Sequence, residues 1–155
     1  MIRHHSADQA HGGPGRDILI AILAGAGVAL LSSWLLGYTA AIPAPHQWFV
    51  WFNNSLGSYA GLVAWELLAV QFPAAGLTAA LAAFVLVRCS SLPWWQTCLL
   101  LIGAELATTV FLQFPHFHSL RGLLLLQHAH ELVVILCILT AGYLSSRSRK
   151  KTHPV

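Results

Sequence analysis

The chain has 155 residues, 57% of them hydrophobic and only 8% charged, with a formal net charge of +3. A soluble domain carries about 25% charged residues, and thirteen Asp, Glu, Lys and Arg side chains cannot cover a water-facing surface of this size. No basic face with interleaved aromatics accompanies the positive charge, which argues against nucleic acid as a partner and leaves a single-domain, all-α integral membrane protein as the reading.

Residues 1–16 are polar and rich in Gly and His and read as a disordered cytoplasmic tail. The first span is expected at 18–38. That length suits the roughly 20 residues needed to cross a bilayer and exceeds the apolar core of about 7–15 residues of a cleaved signal peptide. Gly25 and Gly27, with Ala21, Ala24 and Ala29, leave one side of it thin, as close helix packing in lipid requires. Thr39–Ser58 has no charged residue and reads as a loop. Pro43 and Pro45 open it, and Trp48, Phe49, Trp51 and Phe52 place it along the headgroup zone.

The second span is expected at 59–87. As one helix it would be roughly 44 Å long against a hydrocarbon core of about 30 Å, and Pro73, preceded by Gln71, divides it. A helix kinked at Pro73 is favoured over a short interfacial helix followed by a span. The third span, 92–114, starts at Pro93, Trp94 and Trp95 and carries Glu105 about midway, with Thr108 and Thr109 behind it. The fourth, 122–144, leads into a basic cytoplasmic tail at 147–155. Together the spans make a transmembrane domain over 17–146.

Orientation follows from the cations. With both termini in the cytoplasm, Arg3, Arg16, Arg88, Arg147, Arg149, Lys150 and Lys151 are all inside and only Arg121 is outside, as the positive-inside rule requires. The expected location is a cell membrane, crossed four times. The spans lack the alternation of barrel strands. Cys89, Cys98 and Cys137 form no CxxC pair and read as small apolar fillers.

This topology gathers polar residues on the outer side: His46, Glu66, His116, His118, Arg121, Gln127, His128, His130 and Glu131. His128 and Glu131 are three apart and share a helix face. Imidazole with carboxylate suits a transition-metal ion, with His128 and Glu131 as core ligands, His116 or His118 as a third, and Glu66 as a ligand or as the group that orients an imidazole. The structural alternative is a set of interfacial histidines with no ligand. Glu105 costs roughly 2.5–3.5 kcal/mol at mid-bilayer on insertion scales. It reads either as a protonated carboxyl bonded to Thr108, Thr109 or a neighbouring helix, or as a proton or ion pathway group. Arg121 would hold an anionic or polar headgroup.

No serine elbow, phosphate loop or HExxH is present, and the chain lacks both the paired cysteines of disulfide-forming oxidases and the Arg/Glu-rich motif of glutathione-linked membrane enzymes. The leading expectation is a non-enzymatic accessory or assembly subunit that packs against another membrane protein or oligomerises. A transporter or sensor of a transition metal or proton is the second reading. A membrane enzyme acting on a lipid or quinone is the third.

Overall fold

The computed structural model describes residues 13–43, 45–56, 60–113 and 124–152. Its elements are α1 (Pro14–Thr39), α2 (His46–Leu56), α3 (Ala60–Trp65), a π-helical segment (Glu66–Gly76), α4 (Leu77–Cys89), α5 (Trp94–Gln113) and α6 (Leu124–Thr152). From Gly61 to Cys89 the helix runs unbroken for 29 residues. It is one of four helices long and apolar enough to cross a membrane, and no strand occurs among the described residues. An all-helical architecture with four helices long and apolar enough to span a membrane is therefore what these residues build.

Local chemistry sets the helix ends. Pro14 stands in the first turn of α1, where its missing N–H would have had no partner in any case. α4 stops as Ser90 turns extended, φ −82° and ψ 145°. The Pro93 carbonyl then accepts the Gln96 and Thr97 amides at 3.0 and 3.1 Å and starts α5.

α1 packs on α5 and on the π-helical segment, while α6 packs on α4, the π-helical segment and α5. α1 and α6 do not pack on each other among the described residues and so occupy opposite corners. One end of the bundle is tied by polar contacts. Asp17 Oδ2 accepts the Ser91 amide at 2.7 Å and the Ser91 hydroxyl at 2.6 Å. Arg88 Nη2 donates to Ser148 Oγ at 3.1 Å, with its guanidinium 4.4 Å from the centre of the Phe84 ring. The start of α1, the α4–α5 connection and the last turns of α6 thus share one end, the tail end.

The interior is built from small residues. Ala21, Ala29, Ala74, Ala75, Ala79 and Ala83 are buried, whereas Leu23, Leu81 and Phe111 are 62%, 66% and 78% exposed. Water would favour the reverse, because burying Leu and Phe stabilises a soluble core most. In lipid the tails are as apolar as Leu, and helices hold together by close approach at small residues. Gly25 makes the seam in which one helix comes closest to the backbone of another. A Cβ there would lie 2.6 Å from the Leu101 carbonyl oxygen and 2.7 Å from Ala104 Cβ. Hydroxyls and a thiol stitch the helices further: Ser32 with Thr78 at 3.2 Å, Ser145 Oγ to the Phe84 carbonyl at 2.9 Å, and Cys98 Sγ to the Ile138 carbonyl at 3.7 Å.

Three expectations change. The segment read as a loop contains α2, because Pro43 and Pro45 precede the helix rather than interrupt it. The Pro45 carbonyl accepts the Trp48 amide at 3.0 Å. Trp48 Nε1 then donates to the Gly61 carbonyl at 3.2 Å, and its ring meets Trp65 edge-on at 5.6 Å. The basic stretch from Arg147 is helical as far as Thr152, since no Gly or Pro stops α6 there. At the N-terminus, α1 begins at Pro14, inside the segment read as a tail; residues 1–12 and 153–155 lie outside the described residues.

Substituting Gly25→Ala forces α1 off α5 and is expected to cost about 1–3 kcal/mol, as overpacking does. Gly27→Ala, where nothing lies within 4 Å of the added carbon, should be close to neutral. Unfolding midpoints of the two variants in one detergent check the pair.

Candidate functional site

Pro73 has no N–H to give the helix ladder, and its ring crowds the preceding turn. The chain responds by widening its winding, so that Leu77 N–H bonds the Phe72 carbonyl, five residues back, as π-helical turns do. This changes which side chains are neighbours. Glu66 and Gln71 would lie about 140° apart on an α-helix. Here Gln71 Nε2 donates to Glu66 Oε1 at 3.3 Å. A carboxylate only accepts, so it takes the amide N–H and leaves Gln71 Oε1 as the free atom. That oxygen is buried with no hydrogen-bond partner, in a residue 5% exposed.

On α5, Glu105 has 0% exposure. Thr109 Oγ1, one turn on, donates to Glu105 Oε1 at 3.1 Å. Glu105 Oε2 is buried without a partner. Thr108 turns away and donates to the Ala104 carbonyl at 2.8 Å. On α6, His130 and Glu131 are half-buried, and His130 Nδ1 and Glu131 Oε2 also lack partners. Native interiors leave few such atoms, and each one asks for an explanation.

Helix register brings these groups to one depth. α5 and α6 run in opposite directions, with Trp94 against Tyr143 at a 6.0 Å ring separation and Cys98 against Ile138. Carried further along both helices, that register sets Glu105 at the level of Glu131. α4 and α6 run in the same direction. Their pairs Phe84 with Ser145 and Arg88 with Ser148 keep an almost constant offset, which puts Gln71 level with Glu131. At 1.5 Å per residue this level lies about 25 Å from the tail end.

The anticipated site residues fare differently. Glu66 is tied to Gln71, Glu131 is brought level with Glu105, and Glu105 is the most deeply buried acid. His128 lies on α6, but its side chain is outside the described set, as are His116, His118 and Arg121 altogether. Among the described residues no group of three or more His, Cys, Asp or Glu gathers as a metal site would need. Gln71 was missed as a member of the site. Its only signal was a polar residue two positions before a proline in an apolar run.

No family model, curated protein or solved structure matches the chain, so its function is argued from this geometry alone.

An unpartnered buried oxygen costs about 1–3 kcal/mol. Replacing Glu105 with Met, of similar length and without that oxygen, is therefore expected to leave the bundle as stable as wild type or up to about 3 kcal/mol more so. Thr109 can bond the carbonyl one turn back, as helical threonines do. Unfolding in one detergent measures the change; a marked loss of stability would show that the carboxyl is structural.

Proposed function

We propose that the protein is a cell-membrane protein, with both tails in the cytoplasm, that binds and releases a proton at Glu105 and so serves a proton-linked transport or sensing step. One observation carries this reading. Glu105 is wholly buried in the bundle, bonded through one carboxyl oxygen to Thr109 and unpartnered at the other, with Glu131 at the same level of α6 by helix register. A carboxyl kept only for structure would use both oxygens. Ionisable groups inside a membrane domain mark ion or proton routes by default, and two carboxyls in mutual reach favour sharing a proton, since like charges resist ionising together.

The test is infrared difference spectroscopy of the lipid-reconstituted protein across a pH series. A carboxyl carbonyl band is expected to rise and fall with pH in wild type and to vanish in Glu105→Gln, with Glu131→Gln shifting its midpoint. Identical spectra for wild type and Glu105→Gln would refute the reading.

Orientation has its own measurement. Cys89 is the exposed cysteine, next to Arg88 at the tail end. A membrane-impermeant maleimide should label it in inverted vesicles and not in intact cells.

An accessory or assembly role is the second reading. It is favoured by Gly27 and Gly103, which face out of α1 and α5 with open space where a side chain would stand, so that a helix of a partner or of a second copy can approach there. Gly27→Leu would then dissociate a complex seen by crosslinking in native membranes while leaving the infrared band intact.

A further inference from the structure

We infer that Glu105 is open to one compartment only, the one at the end of the bundle away from the tails, by a route that passes Glu66, Gln71 and Glu131. This rests on the proton-binding reading above and adds to it the direction of access, and hence which compartment the protein responds to.

The argument comes from where polar atoms are satisfied and where they are not. Among the described residues, the buried side-chain atoms without partners are Gln71 Oε1, Glu105 Oε2, His130 Nδ1 and Glu131 Oε2. All belong to the level about 25 Å from the tail end or to its immediate surroundings. Glu105 is fully enclosed, whereas the polar residues at and beyond its level, Glu131, His130 and Glu66, are only half-buried, although the apolar Val70 beside them is buried. Polar atoms of this kind are the ones water satisfies in protein interiors.

Toward the tails the chemistry reverses. Val134, Ile138, Leu101, Cys98, Ala79, Ala83 and Val87 form one buried apolar cluster, none more than 3% exposed. The polar side chains buried in that half are already committed. Ser145 bonds the Phe84 carbonyl at 2.9 Å, Thr97 Oγ1 bonds the Pro93 carbonyl at 3.4 Å, and Cys98 Sγ bonds the Ile138 carbonyl. Their hydrogens are committed to backbone carbonyls, and the apolar side chains around them leave no continuous polar path.

The titratable group that acts on Glu105 is Glu131 from α6, with His130 next to it in sequence and Glu66 farther along the π-helical segment; α1 presents Gly25 to the Glu105 turn. A proton arriving in water from the far end meets acceptors only: the Gln71 carbonyl oxygen, then the Glu131 carboxylate. From Glu131 Oε2 it passes to Glu105 Oε2, which leaves Glu131 ionised and Glu105 neutral. Gln71 is a positioning residue here. Its amide is oriented by Glu66, and its oxygen holds the water that delivers the proton.

The experiment uses the full chain in liposomes with one orientation, assigned by maleimide labelling of Cys89. The reporter is the infrared carboxyl band that Glu105→Gln removes. A pH step on the side away from Cys89 is expected to move the band at once. The same step on the Cys89 side should move it only after a protonophore is added. Equal, immediate response from both sides overturns one-sided access and leaves proton binding intact. No response from either side, even with protonophore, means that the proton-binding reading itself is wrong. Gln71→Leu, which keeps bulk and removes both polar atoms, should slow the far-side response severalfold without abolishing the band; an unchanged rate removes Gln71 from the route.

Discussion

A carboxyl group with no exposed surface stands among four apolar helices, held by one threonine hydroxyl. The rest of the structure has to accommodate that fact. Lipid gives helices no hydrophobic reason to associate, so the bundle must be closed by contact, and Gly25 brings the α1 backbone against the very turn of α5 that carries Glu105. The seam that encloses the acid is the seam that holds the first and third spans together. A side chain at position 25 would loosen both at once.

The second constraint is Pro73. In an ordinary helix it would remove a backbone bond and bend the chain. Here the winding opens to five-residue bonds around it, and this has a chemical consequence as well as a geometric one. Glu66 and Gln71 become neighbours, the amide is oriented, and its carbonyl oxygen is left unpartnered inside the bundle. π-helical turns occur disproportionately at functional sites, and the reason is visible in these residues: the wider turn joins side chains that α-helical spacing keeps apart.

Much of the architecture was legible because lipid imposes it. Apolar runs near 20 residues, broken by Pro, Trp and Arg, can be little other than spans, and the four helices lie where those runs lie. α2 was hidden because Pro43 and Pro45 look like loop residues, although a proline just before a helix helps to start one. The site was only half legible. Glu105 announced itself by cost. Its bond to Thr109 was legible too, from their four-residue spacing on one helix, but its level with Glu131 was not, because spacing along one helix, such as His128 to Glu131, cannot say which helices are neighbours. Gln71 was invisible for a different reason: a five-residue pairing with Glu66 has meaning only once the winding is known to be π-helical.

Satisfied and unsatisfied polar groups divide the molecule into two halves, and that division is the deeper regularity. Near the tails each described bond closes on a strong acceptor or donor: Asp17 on Ser91, Arg88 on Ser148, Ser145 on a backbone carbonyl. Away from the tails Gln71 and Thr109 also make bonds, but among the described residues oxygen atoms of two acids and an amide are left over there. The leftover carboxyl oxygen of Glu105 stands at the Gly25 seam, so one close contact both holds α1 on α5 and encloses the unpartnered group.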